Sequence, residues 1–181
     1  FSFYEKMKVP APNVCPECRF KMCVLWRNEI SLYNRICVKT GESIISMYNP
    51  KMPYIVVSHS YYESDKWDAR DFAIEYDFTK PFFDQFKELL LRVPKATTFI
   101  FTADGQNINS EYSNYAGGLK NCYLVFNSGP GEEMLYSRGL RNVREFVDCY
   151  FGVENELIYE SVNCQKSAKV YFGKNVNSCV D

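Results

Sequence analysis

The second half of the chain consists of short aromatic or β-branched segments that alternate with turn-forming residues. From about residue 98, tyrosines mark the centres of these segments at intervals of 9 to 14 residues: Tyr112, Tyr123, Tyr136, Tyr150, Tyr159 and Tyr171. One short strand cannot bury a face alone, whereas strands stacked at a regular spacing can. The repeats therefore predict a short parallel β-helix. The alternative is an antiparallel meander or sandwich.

The repeats also suggest how each turn of this β-helix is built. Two strands per turn would give about 23 residues, close to the separation of Tyr136 and Tyr159. We expect aromatic and cysteine side chains to point inward, with one cysteine per repeat: Cys122, Cys149, Cys164 and Cys179. Asparagine is expected at the corners, because it tolerates left-handed backbone conformations and its amide can bond along a stack.

Four further cysteines lie near the start of the chain: Cys15, Cys18, Cys23 and Cys37. Two thiolates at the spacing of Cys15 and Cys18 can reach one tetrahedral Zn²⁺ from a tight turn. Cys37, beside the turn at Thr40-Gly41, is the predicted third ligand. Cys23 is the candidate for the fourth, although its place in a predicted helix makes a cysteine upstream of Phe1 an alternative. A closed site of this kind makes zinc a structural cofactor rather than a catalytic one.

Three other interpretations of the cysteines stay open. They are a cluster of buried thiols, a redox-active CxxC pair and, in a secreted chain, disulfides among all eight cysteines. The βαβ context of thioredoxins is missing, and the clustered spacing favours metal binding in a reducing compartment. We therefore predict a cytoplasmic protein.

The first half of the chain predicts a small α+β head over residues 1–97, ahead of a repeat domain over residues 98–181. Hydrophobic spacing indicates a short helix within residues 19–30, and β-rich segments at 43–48 and 54–58 indicate a small sheet. The polar and aromatic residues 61–79 are expected on the surface. A broad apolar stripe predicts the longest helix near residues 80–93.

A nucleic-acid partner is suggested by basic and aromatic residues that alternate near the amino terminus. The net charge of −1 gives the whole chain no attraction to polyanions, but residues 1–50 carry seven Lys and Arg against four Asp and Glu. Basic and aromatic side chains together can hold phosphates and stack bases. The candidates for RNA binding are Arg19, Lys21, Trp26, Arg27 and Arg35. The alternative is an ordinary solvated helix face.

The sequence offers no catalytic residue. His59 is expected to be a surface or hydrogen-bonded histidine, and the acidic residues between Asp65 and Asp77 a solvated loop. Glu132 and Glu133, in a repeat turn, allow a β-helix enzyme that acts on polysaccharides. No P-loop, GxGxxG, HExxH or GxSxG motif occurs, and no apolar run is long enough to cross a membrane.

Several motifs resemble a group of uncharacterised bacterial proteins that contain a zinc ribbon and carboxyl-terminal Cys/Tyr-rich repeats. They are the CPECR string at residues 15–19, WRNE at 26–29, IISMY at 44–48, SDKWD at 64–68 and NCY at 121–123. The resemblance implies a zinc-binding head. It also implies further cysteines upstream and further repeats downstream, and hence a truncated chain. Those relatives carry a basic residue at the position of Cys23.

The sequence thus predicts an α+β protein with a zinc-stabilised head and a parallel β-helix. We expect a non-enzymatic scaffold or interaction protein with a protein or nucleic-acid partner and no membrane partner. An open end of the β-helix would favour self-association, because unpaired strand edges bind other strands. RNA binding and polysaccharide chemistry are the alternatives.

Overall fold

The computed structural model describes residues 2–141, 143–153, 156–166 and 168–178. Its helices are α1 (Ser2–Met7), α2 (Pro16–Val24), α3 (His59–Tyr62) and α4 (Phe82–Arg92). The strands before residue 100 are β1 (Tyr33–Ile36), β2 (Ser43–Ser46), β3 (Val56–Val57) and β4 (Lys95–Ala96). The later strands are β5 (Ser113–Ala116), β6 (Leu119–Lys120), β7 (Tyr123–Ser128), β8 (Gly131–Arg141), β9 (Val143–Val147), β10 (Tyr150–Val153), β11 (Glu156–Tyr159), β12 (Val162–Gln165) and β13 (Val170–Tyr171). None of the helices in these described ranges is long and apolar enough to cross a bilayer.

The head contains two short two-stranded sheets around a small core. Strands β1 and β2 pair antiparallel and β3 pairs with β4 in parallel, so the segments at 43–48 and 54–58, which were predicted to form one small sheet, lie in two separate sheets. The buried apolar residues are Cys37, Ile44, Val56 and Val57, against which Ile55 and three half-buried tyrosines pack. The helix predicted within residues 19–30 begins earlier, because Pro16 suits a first helical position and Cys15 caps the helix. The boundary between residues 97 and 98 stays a prediction.

Helix α4 confirms the helix predicted near residues 80–93, but its apolar stripe is not fully buried. Gln85 is the residue of α4 that is buried, whereas Phe82 and Phe83 are 54% and 68% exposed. Phe86, Leu89 and Leu90 further along are half-buried, so the stripe is partly covered and its first turn lies on the surface of the head. A stripe of this composition is more often found against a core, so its exposure requires an explanation.

The repeat half is a β-solenoid, and its strands pair in parallel. Each residue pairs with the residue twelve positions later, as Tyr123 does with Leu135 and Tyr150 with Val162. The parallel β-helix prediction is confirmed and the antiparallel meander is wrong. The predicted turn of about 23 residues is also wrong, since one coil takes twelve.

Among the solenoid side chains that the structure describes, inward-pointing ones recur at every third position. These positions hold the core residues Ala116, Leu119, Cys122, Val125, Met134, Leu140, Val143, Phe146, Cys149, Ile158 and Val170. Serines occupy other inward positions and replace missing backbone hydrogen bonds. Ser137 Oγ donates to the carbonyl of Leu135 at 2.6 Å and accepts from the amide of Cys149 at 3.4 Å, one coil later. The narrow interior is thus filled by serines and by apolar side chains of different sizes.

The residue before most inward positions adopts a left-handed backbone conformation, with φ of +54° at Asn121 and +59° at Asn163. The predicted asparagine corners are therefore confirmed for these residues. Their amides bond along the stack, as the amide of Asn163 does to Asn175 at 3.1 Å. Cys122 and Cys149 are inward as predicted, whereas Cys179 and the side chain of Cys164 lie outside the described part of the chain.

The prediction that the tyrosines point inward is wrong. All six marker tyrosines are exposed, from 37% at Tyr159 to 59% at Tyr171. A coil with an inward residue at every third position is too narrow to hold a stack of tyrosine rings. Several rings instead contact one another along the outside, with centroids of Tyr112 and Tyr123 5.0 Å apart and those of Tyr123 and Tyr136 5.8 Å apart.

Candidate functional site

Cys15 and Cys18 lie together at the amino end of α2. Cys15 is the N-cap, and its Sγ accepts a hydrogen bond from the backbone amide of Cys18 at 3.3 Å. This amide and the neighbouring Cys18 thiol lower the pKa of Cys15, while the hydrogen bond to Cys15 raises the pKa of Cys18. Both thiols are exposed. The pair is therefore two accessible thiols on a helix end, rather than on the tight turn that the sequence suggested.

The other two predicted metal ligands do not join this pair. Cys23 follows Cys18 by five residues in the same helix, which places it about 140° around the helix axis. Cys37 is 1% exposed in the head core. Within the described part of the chain, no three His, Cys, Asp or Glu side chains form a group that could hold a metal ion. Zinc binding stays a prediction.

Hydrogen-bond donors surround the thiol of Cys37 inside the head core. Its Sγ accepts hydrogen bonds from the amides of Ser58 at 3.3 Å and Thr40 at 3.4 Å. Burial alone would raise the pKa of the thiol, but the Thr40 hydroxyl and the amides of Ser58, Thr40 and Lys39 outweigh it. They lower the pKa to about 7. A thiolate therefore forms at this position near neutral pH.

This low pKa predicts a pH-dependent stability in the metal-free protein. Between about pH 7 and pH 9 the native state binds fewer protons at Cys37 than the unfolded state does. The free energy of unfolding should therefore increase by about 1–2 kcal/mol as pH rises through this window, and fall as pH drops through 7. Urea unfolding at several pH values measures the slope. Cys37→Ser should remove it and Cys23→Ser should retain it; equal slopes in both variants would contradict the assignment.

Residues 27–29 join the head to the side of the solenoid. The guanidinium of Arg27 lies 3.9 Å from the ring centre of Tyr115 and donates to Asn127 Oδ1 at 3.1 Å. Glu29 accepts from Arg138 Nε at 2.5 Å and pairs with Arg27 at 3.3 Å. These charged residues therefore hold the two parts of the chain together.

The predicted RNA-binding residues do not share one free surface. Arg27 is engaged with the solenoid, and Arg35 donates to the carbonyls of Asn49 and Tyr54 at 3.0 and 3.1 Å. Arg19 donates to the Tyr4 hydroxyl at 3.2 Å, and Lys21 pairs with Glu17 at 3.3 Å. Trp26 is 69% exposed and faces α4 instead. RNA binding stays a prediction, with two of its five residues used inside the fold.

Five exposed aromatic side chains and the half-buried ring of Phe86 form a continuous surface on the head. We call this surface the aromatic face; it consists of Trp26, Tyr76, Phe78, Phe82, Phe83 and Phe86. Phe82 stacks on Phe86 with ring centres 5.6 Å apart and contacts Phe83 at 5.3 Å. The ring centre of Trp26 lies 6.4 Å from that of Phe86. Tyr76 links Phe82 to Phe78, which is 91% exposed.

A buried glutamine fixes the shape of the aromatic face. Gln85, 7% exposed, accepts from the amide of Asp77 at 2.8 Å and donates to the carbonyls of Asp77 and Lys80 at 3.0 and 3.1 Å. These bonds tie the segment that carries Tyr76 and Phe78 to the first turns of α4. The sequence indicated the apolar stripe of α4, but nothing in the spacing linked it to Tyr76 and Phe78.

The remaining sequence candidates lie in ordinary surroundings. His59 Nε2 lies 3.1 Å from Thr98 Oγ1, and burial lowers the pKa of its imidazole, so the expected hydrogen-bonded histidine is confirmed. It borders a cleft of about 370 Å³ between head and solenoid. Among the acidic residues of the surface segment, Asp68 pairs with Arg70. These groups carry no catalytic arrangement that we can assign.

The polysaccharide hypothesis requires acidic and aromatic residues along the repeat face. A shallow depression of about 300 Å³ on the solenoid is lined by Glu133, Glu145, Tyr159 and Tyr171, among others. Glu132, the other predicted residue, instead lies 4.0 Å from Lys120 on the neighbouring coil. The depression has the required residue types but no assigned acid and base, so this hypothesis also stays a prediction.

Comparison of the chain with protein-family models, with curated proteins and with solved structures found no match. The resemblance to bacterial zinc-ribbon proteins therefore stays a prediction, and the function must be argued from the geometry described above.

Proposed function

We propose that this protein is a non-enzymatic scaffold that binds a partner protein through the aromatic face and carries zinc on Cys15 and Cys18. The aromatic face is the observation on which the proposal rests. Contiguous exposed apolar patches with polar surroundings mark interaction sites on folded proteins, whereas single exposed apolar side chains are ordinary. Trp26 and Tyr76 belong to residue types that contribute most to binding at protein interfaces.

The energetics favour a protein partner. A phenylalanine that becomes fully buried contributes about 1.5–3 kcal/mol, so Phe78, Phe82 and Phe83 together would offset much of the cost of association. The hydrogen bonds between Gln85 and Asp77 hold the segment that carries Phe78 against the first turn of α4, which carries Phe82. Both rings are therefore positioned before a partner binds. A preorganised surface loses less conformational entropy on binding than a flexible one. The zinc ion, in this proposal, orders the amino-terminal helices and takes no part in a reaction.

Site-specific crosslinking in cell extract tests the aromatic face. A benzoylphenylalanine at position 83 should give defined adducts, because Phe83 is 68% exposed within the face. The same group at position 172 is the matched control, since Phe172 is 73% exposed but lies on the solenoid. Unlabelled wild-type protein should suppress the formation of these adducts at a concentration at least tenfold lower than the Phe78→Asp variant requires. Identical adducts at both positions, or none at position 83, would rule out this use of the face.

A further inference from the structure

The two thiols at the start of α2 supply half of a tetrahedral zinc site. Cys15 and Cys18 lie on one helical turn, are both exposed and are connected by the hydrogen bond from the Cys18 amide to Cys15 Sγ. Zinc in structural sites takes four thiolate or imidazole ligands. A pair on one turn occupies two of the four positions and leaves the opposite side of the ion open to two further ligands.

Cys23 and Cys37, the other two thiols of the head, are badly placed for those two positions. Cys23 points about 140° away from Cys18 around α2. Cys37 is buried and accepts hydrogen bonds from Ser58 and Thr40 in the head core. Moving either thiol to the pair would require α2 to unwind or the head core to open.

We infer that Cys15 and Cys18 of two copies of this chain hold one zinc ion between them, as a symmetric four-thiolate bridge. A two-fold axis through the ion would present the same pair from each copy, so each copy completes the site of the other. The thiols must lose their protons to the solvent on binding, and no electrons are transferred. The inference rests on the proposed zinc binding and adds the source of the missing ligands.

The surface of α2 fits a second copy. None of the described residues of this helix is buried, and four large apolar side chains are exposed along it and directly after it: Phe20, Met22, Val24 and Leu25, from 50% to 85% exposed. Two α2 helices brought together at their amino ends would cover part of this surface on both copies. The same helix alone in water would leave it uncovered, which is unfavourable.

Zinc titration of the full, metal-free chain tests the bridge. We expect a monomer without metal and a dimer after addition of zinc, by light scattering coupled to size-exclusion chromatography, with about one zinc for two chains. Cobalt in place of zinc should give the absorption spectrum of a tetrahedral four-thiolate site. The variants Cys15→Ser and Cys18→Ser should each lose the dimer and at least tenfold in zinc affinity.

Cys23→Ser is the matched control, since it changes an exposed thiol of the same helix and should leave stoichiometry and dimer unchanged. One zinc per monomeric chain would overturn the bridge and leave the proposed zinc binding intact. A zinc affinity that falls in Cys23→Ser would make Cys23 a ligand, and it would likewise overturn a bridge formed by Cys15 and Cys18 alone. No zinc binding at all would overturn both the bridge and the proposed metal site, while the aromatic face would be unaffected.

Discussion

Replacing Phe146 by alanine should lower the free energy of unfolding by about 3–5 kcal/mol. Phe146 is fully buried and is the largest fully buried side chain among the residues that the structure describes. It pairs in register with Met134 on the preceding coil and with Ile158 on the following one. The coil is only twelve residues around, so few side chains are near enough to move into the cavity. The variant therefore loses the transfer free energy of the ring and also the contacts that line the hole.

Chemical unfolding followed by circular dichroism measures this loss, and hydrogen exchange locates it. Amide protection should fall most in the coils that carry Met134 and Ile158, because each coil contacts its neighbours alone. Phe172→Ala is the matched control: its ring is 73% exposed, so the change should stay within about 0.5 kcal/mol. A difference below about 1 kcal/mol between the two variants would show that Phe146 does not fill the core as described.

Replacing Asn114 by aspartate should be about as damaging, by about 3–5 kcal/mol at neutral pH. The side chain of Asn114 is 1% exposed, and it connects three segments. Its Oδ1 accepts from the amide of Phe99 at 2.9 Å, and its Nδ2 donates to the carbonyls of Asn28 and Glu29 at 2.9 and 3.0 Å. Aspartate keeps the shape but places a buried carboxylate oxygen against two carbonyl oxygens.

The pH dependence separates this cause from a packing defect. Burial and the facing carbonyls raise the pKa of an aspartate at this position above its unfolded value, so the native state binds the proton more tightly. The variant should therefore regain stability relative to wild type as pH falls from 7 towards 5. Asn109→Asp is the control, because Asn109 is exposed and its amide bonds to Asn121 at 3.0 Å. Equal effects at both positions, or a loss independent of pH, would exclude this role for Asn114.

The pattern of residue types was sufficient to predict the class of the repeat domain but not its dimensions. Asparagine at turns and β-rich segments indicated stacked parallel strands, and the left-handed residues Asn121 and Asn163 bear this out. The twelve-residue period was hidden, because inward positions hold serine, glycine and cysteine as well as valine. Tyr136 and Glu145 also adopt the left-handed backbone conformation, although tyrosine and glutamate are not residue types that predict a turn. The conspicuous tyrosines lie outside and follow no fixed register.

The predicted metal ligands show a similar division. The CxxC spacing was enough to place Cys15 and Cys18 next to each other, since three residues of chain allow little else. It was insufficient for Cys37, whose thiol is separated from the pair by the packing of the head core. The aromatic face was equally hidden. Whether a stripe such as that of α4 meets a core or solvent depends on what the rest of the chain brings against it.

Local sequence by itself determined helix α4, the thiol pair and the existence of stacked strands, because propensity, capping and side-chain spacing act over a few residues. The tertiary structure alone decided the twelve-residue coil, the exposure of the aromatic face and the docking of Arg27 and Glu29 on the solenoid. These depend on contacts between residues far apart in the chain, such as Glu29 with Arg138. The free energy of such contacts is set by which surfaces the whole fold brings together.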